Sequence, residues 1–201
     1  DIRTSLIGRF NIDNAAFAAV CAMNMGFDKE DIIRSLNKAI GAPGRMQRIK
    51  LKNGAIGIVD YAHTPDALEK ALLACKDIIK NSNTGGRIFC VFGCGGDRDK
   101  TKRPIMGDIS SRLADVTVFT EDNPRFEDSR IIIEDIASGI KDKQNTLYSL
   151  IRARIGAIEY AVHYSRKNDI ILVAGKGHEN YQIFGYHKEH FDDVEELMRF
   201  V

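Results

Sequence analysis

From residue 46 onward, short apolar runs alternate with helical patterns. This texture predicts an α/β fold: a Rossmann-like, mostly parallel sheet with flanking helices and an antiparallel edge. Two further observations support it. The segments between the runs carry apolar residues on one helical face. The texture also begins only after Gly41-Ala42-Pro43-Gly44, a breaker cluster that follows a purely helical stretch.

In the helical stretch, Ala15, Ala16, Ala18, Ala19, Val20 and Ala22 form a small-residue helix that Gly26 ends. Asp28 is placed to cap a second helix through Ile32, Ile33, Leu36 and Ile40. The breaker cluster then sets the expected boundary between residues 1–42 and 43–201. Beyond it, strands are expected at Met46–Leu51, Ile56–Asp60, Arg87–Phe92, Val116–Thr120 and Ile170–Ala174. Thr64 can cap a helix that begins on Pro65 and carries Ala67, Leu68, Ala71, Leu72 and Cys75 on one face. Pro104 starts another, with Ile105, Ile109 and Leu113 in register, and Ile131–Ile140 and Arg154–Ser165 supply two more. Tyr181–Ile183 with Gly185 and Tyr186 reads as a short hairpin before a last helix, Asp192–Phe200.

Composition narrows the function classes. At 201 residues the chain is one domain or one domain with part of another, and 44% hydrophobic residues suffice for a core. Twenty-nine basic against 28 acidic residues leave +1, without the basic excess of a nucleic-acid surface. No run approaches the ~18 apolar residues of a membrane span, and the first residues lack a signal-peptide layout. Cys21, Cys75, Cys90 and Cys94 lack metal-ligand spacing and read as reduced, packed thiols. A cytoplasmic protein is expected, and the non-methionine Asp1 suggests a segment of a longer polypeptide.

In open parallel sheets, ligands bind beyond the carboxyl ends of the strands. Four such ends carry polar clusters here. Asp60-Tyr61-Ala62-His63-Thr64-Pro65 leads into a helix N-terminus, where backbone amides favour anions; the plain alternative is a capped turn with a satisfied histidine. Gly93-Cys94-Gly95-Gly96-Asp97-Arg98-Asp99-Lys100 lets backbone approach a ligand closely, but it is no nucleotide P-loop, since no Gly-Lys-Ser/Thr follows. Thr120-Glu121-Asp122-Asn123-Pro124-Arg125 sets opposite charges a few residues apart, which could also be an exposed ion pair worth under about 1 kcal/mol. Ala174-Gly175-Lys176-Gly177-His178-Glu179 adds two glycines and a carboxylate, or a solvated turn. Arginines suit carboxylates through their planar fork of donors, and Asp and Glu answer ammonium groups. Together the clusters point to an amino-acid pocket.

At these motifs, and from Gly8-Arg9-Phe10-Asn11 to the closing helix, the chain resembles the Mur ligases, ATP-dependent amino-acid-adding enzymes of peptidoglycan synthesis. The resemblance implies that residues 1–42 are the end of a central ATPase domain and residues 43–201 the amino-acid-binding ligase domain. It implies ATP binding by Asn11, Asn14, Arg45, Asp60, Tyr61 and His63, with the last two least firmly attached to that role. It implies amino-acid binding by Arg98, Asp122, Asn123, Arg125, Gly175 and Glu179. Within the family, Asp-Asn-Pro-Arg at residues 122–125 accompanies meso-diaminopimelate, and a UDP-linked muramyl dipeptide is the acceptor. Its carboxylate is phosphorylated by ATP, and the amine of the diamino acid attacks the acyl phosphate. The central domain's Gly-Lys-Thr loop is missing from these residues, so Mg2+ is expected to be held mainly by a part of the enzyme outside them. No residue of the chain need act as a nucleophile, no metal ligand is assigned, and a monomer without nucleic-acid or membrane partners is implied. A lysine-adding homologue, a folylpolyglutamate synthetase relative, a ligase for a diamino diacid such as lanthionine, and a non-catalytic binding module are the competing readings.

Overall fold

The computed structural model describes residues 6–201. The chain divides into two compact units between Ala42 and Pro43. The first contains helices α1 (Arg9–Asn24) and α2 (Lys29–Asn37), which pack on one another. Gly26, at φ 87, turns the chain between them. Asp28 occupies the N-cap of α2 but makes no side-chain capping bond; Glu30 and Asp31, in the first turn, complement the helix dipole instead.

The second unit is built on a six-stranded sheet. Strands β2 (Ile56–Asp60), β3 (Ile88–Phe92), β4 (Val116–Phe119), β5 (Tyr148–Leu150) and β6 (Ile170–Ala174) run parallel, and β1 (Gln47–Lys50) lies antiparallel beside β2. The order is β1-β2-β6-β3-β4-β5, so the last parallel strand inserts between the first two. Helices α3 (Pro65–Ser82), α4 (Lys102–Leu113) and α5 (Ser129–Ala137) pack side by side over one face, and α6 (Arg154–Tyr164) with α7 (Asp193–Met198) covers the other. Reversing direction across the sheet while changing face keeps every crossover right-handed.

The strand pleat explains the two cores. Phe89, Val91, Ile171 and Val173 pack with Ala157, Ile158 and Val162 of α6. The alternate residues Ile88, Cys90 and Phe92 are equally buried and point to the opposite face. Burying the thiols pushes the Cys75 and Cys90 ionisations well up, as expected of inert packing groups.

Three details depart from the sequence reading. Strand β5 was not anticipated, because Tyr148, Ser149 and Leu150 form a short, half-exposed edge rather than an apolar run. Helix α4 begins at Lys102, two residues before Pro104; a first-turn proline lacks only an N–H that the helix would leave unpaired. The hairpin, β7 (Tyr181–Phe184) and β8 (His187–His190), forms a separate two-stranded sheet. It is tied to the main unit through a bridge between Phe184 and Arg125. Among the described residues no helix is long and apolar enough to cross a membrane.

Candidate functional site

Sheet register places Asp60, Ala174, Phe92 and Phe119 side by side in one row across four strands. Each is followed at once by one of the four polar motifs. Strands β2 and β3 continue to helices on one face and β6 leads to α7 on the other, which opens a crevice between their ends. The four loops meet in a cavity of about 370 Å³ that brings Tyr61 and His63 together with Arg98, Asp122, Asn123, Arg125, Gly175 and Glu179. Gly175, at φ 114, lies so close to Asp122 that a Cβ would sit 2.9 Å from the carboxylate oxygen Oδ2. At Gly96 a Cβ would collide with the carbonyl of Pro124, so the second and third motifs interlock only through glycine.

One wall is acidic. Glu179 accepts from Asn123 Nδ2 at 3.1 Å and from the Tyr61 hydroxyl at 3.4 Å. Asn123 is buried, and its Oδ1 accepts from the Ile183 amide at 3.1 Å, which couples the wall to the hairpin. Gln182 donates to the Asp122 carbonyl at 2.7 Å and leaves that residue's carboxylate to face the cavity.

The basic groups lining the same cavity are Arg98, Lys102 and Arg125. Arg125 adopts a left-handed backbone at φ 52, uncommon for a residue with a Cβ. Hairpin contacts hold it there: its N–H donates to Ile183 O at 2.9 Å, and its carbonyl accepts from Gly185 N at 2.7 Å. Its guanidinium is aimed by a bond from Nη1 to Gly96 O at 2.9 Å. Arg98 is less constrained and donates only to the Asp97 carbonyl, at 3.3 Å. Below both, fully buried Arg103 pairs with Glu127 at 3.0 Å and Asp135 at 2.9 Å and donates to Gly95 O. Glu127 also accepts from the Asp97 amide at 2.6 Å. Arg103, and after it Lys100, pulls the Glu127 carboxyl down to about 2.

The residues tied by resemblance to ATP do not all share one place. Tyr61 and His63 line the cavity, whereas Arg45 stacks its guanidinium 4.8 Å from the centre of the Tyr61 ring. His178 approaches the same ring at 5.2 Å. Asp60 is buried, and its carboxylate accepts from the Met46 and Ala62 amides at 2.8 and 2.9 Å. Burial raises its ionisation, and those two bonds oppose the shift. Asn11 and Asn14 belong to the helical unit, where Asn11 donates to Ile7 O at 2.7 Å. Cys94 lines the cavity but is almost wholly buried; burial pushes its thiol up to about 12, so it acts as a small filler.

Sequence reasoning gave no role to Lys102, Lys176 and Tyr181. Lys102 donates to His63 O at 2.7 Å and joins α4 to the first motif. Lys176 sits within a quoted motif, but a lysine is expected at the surface and this one is entirely buried.

Guanidinium groups and carboxylates lining one small cavity at parallel strand ends define an α/β domain suited to a compact ligand carrying both charges. The chain belongs to the Mur ligases: residues 44–177 match the family model for the Mur ligase, glutamate ligase domain. A UDP-N-acetylmuramoyl-L-alanyl-D-glutamate–2,6-diaminopimelate ligase of Rickettsia typhi is 44% identical over 201 residues, which is 100% of this chain and 39% of the relative. One of Clostridium acetobutylicum is 44% identical over 203 residues, covering 100% of this chain and 40% of its own. A solved structure of a ligase of the same description superimposes with a TM-score of 0.74 at 39% identity, covering 98% of this chain and 39% of that one. The chain therefore spans about two fifths of the length of the relatives it matches.

Proposed function

We propose that this chain is the part of a UDP-N-acetylmuramoyl-L-alanyl-D-glutamate–2,6-diaminopimelate ligase that holds the incoming meso-diaminopimelate and forms one side of the ATP site. The observation that carries this reading is the gathering of Arg98 and Arg125 with Asp122 and Glu179 around one cavity. The relatives' names support the same substrate. Diaminopimelate is lysine with a second carboxylate on its far carbon. Burying that carboxylate without a cation would cost several kcal/mol, and Arg125 is aimed where such a partner is needed. Asp122 and Glu179 receive the ammonium groups, Asn123 holds Glu179 in place, and Gly175 admits close approach of the backbone.

In this reading the chain contributes binding and orientation. Fixing the diamino acid by both charged ends presents its free amine to the activated carboxylate of the muramyl dipeptide, and proximity of that kind supplies much of the acceleration. In the second unit Arg45 and Asp60 are assigned to the nucleotide, and Tyr61 and His63 stand between nucleotide and amino acid; in the helical unit, taken by itself, Asn11 and Asn14 are the nucleotide residues. The remaining length of such an enzyme would supply the phosphate loop and the Mg2+ ligands. Among the described residues no group of three His, Cys, Asp or Glu side chains could hold a metal. The enzyme would work in the cytoplasm, as a monomer, on soluble precursors.

Replacing Arg125 with alanine in the full-length ligase tests the reading. Activity with meso-diaminopimelate should fall at least about 100-fold, as expected when a buried charge loses its partner, while residual activity with lysine changes little. Equal losses on both amino acids would refute it.

A further inference from the structure

Lys176 is the one charged group of the fourth motif without a role in the ligand contacts above. Its side chain has zero exposure and lies behind the acidic wall rather than in the cavity lining. Its Nζ stands 3.4 Å from Asn123 Oδ1, 3.6 Å from Glu179 Oε2 and 5.4 Å from the centre of the Tyr181 ring. Burial lowers its ionisation; Asp122 on the β4–α5 loop, Glu179 on its own loop and Asp193 at the start of α7 oppose that shift, and Arg154 of α6 adds to it.

With Oδ1 engaged by Lys176 and by the Ile183 amide, the Asn123 side-chain amide can only turn its Nδ2 toward Glu179, and that is the bond observed. Glu179 is thereby held from two sides, by Asn123 Nδ2 at 3.1 Å and by the Lys176 ammonium at 3.6 Å.

We propose that Lys176 is the positioning residue of the ammonium-binding wall: without touching substrate, it orients Asn123 and, through it, holds Glu179 in place. The proposal rests on reading the cavity as the diamino-acid site. It is tested by steady-state kinetics of the full-length ligase against meso-diaminopimelate, with Lys176→Met and Lys176→Gln. The KM for the diamino acid should rise about 10-fold or more near pH 7 in both, with kcat within about threefold of the parent. In a Glu179→Gln background, Lys176→Met should change KM less than about twofold, because its effect passes through that carboxylate.

An unchanged KM, a fall in kcat alone, or full additivity with Glu179→Gln would each overturn the proposal. So would the failure of both variants to fold, which would assign Lys176 to the fold instead of the site. A parent enzyme that does not use meso-diaminopimelate would overturn the functional reading itself, and is told apart because it needs no variant.

Discussion

Arg154 and Lys176 are both buried near the carboxyl end of β6, at 1% and 0% exposure, but they are held very differently. Arg154 is saturated: its Nε and Nη2 grip both oxygens of Asp193 at 2.7 and 2.8 Å, and Nη2 also reaches Ala174 O at 3.0 Å. The pair joins the first turns of α6 and α7 to the end of β6. Among the described residues the Lys176 ammonium reaches no hydrogen-bonding partner nearer than Asn123 Oδ1 at 3.4 Å, longer than the usual 2.7–2.9 Å or so of a charge-assisted bond. A saturated cation locks elements together, whereas a loosely held one balances the charge of neighbours that have another task. The contrast separates the frame of the domain from the working wall of its pocket.

The largest expected effect is on the frame. Asp193→Asn should lower unfolding free energy by about 3–5 kcal/mol, because it strands a buried guanidinium. Urea unfolding measures it, and a loss under about 1 kcal/mol would break the comparison. Glu127→Gln comes next, at about 1–3 kcal/mol, since Arg103 keeps Asp135 but loses its principal partner. The sign of its pH dependence is set by a carboxyl lowered from 4.5 to about 2. Its stabilisation is complete above the unfolded value of 4.5 and is lost as pH falls toward 2, so the variant's acid unfolding curve should be the flatter one in that window. Lys176→Met should alter stability by no more than about 1 kcal/mol despite its effect on KM, because its ion-pair geometry is poor and methionine fills much of the same volume. Smallest of all, Lys70→Ala removes an exposed pair with Asp66 on α3 and should cost under about 0.5 kcal/mol in the same assay.

Much of the pocket was legible along the chain because each motif lies immediately after an apolar strand, and parallel strand ends must share one edge. Arg98, Asp122, Asn123, Arg125, Gly175 and Glu179 do meet there. Legibility stopped where distant residues decide an orientation. Nothing near residue 125 announces a left-handed arginine; the hairpin 58 residues later imposes it through Ile183. Tyr61 and His63 share a motif with Asp60, yet they enter the cavity while Asp60 turns back to the amides of Met46 and Ala62. Strand β5 escaped notice because an exposed edge needs no apolar run.

The sequence by itself determined the alternation of strands and helices, the break near residue 42, and the four polar motifs that follow strands. These depend on local chemistry: apolar periodicity, glycine and proline at turns, and a capping threonine. Tertiary structure alone decided that β6 inserts between β2 and β3, that Arg154 finds Asp193, and that Lys176 is buried behind the acidic wall. These depend on which residues far apart in the chain exclude water together. A lysine between two glycines reads as solvated until a neighbouring strand, loop and helix close over it.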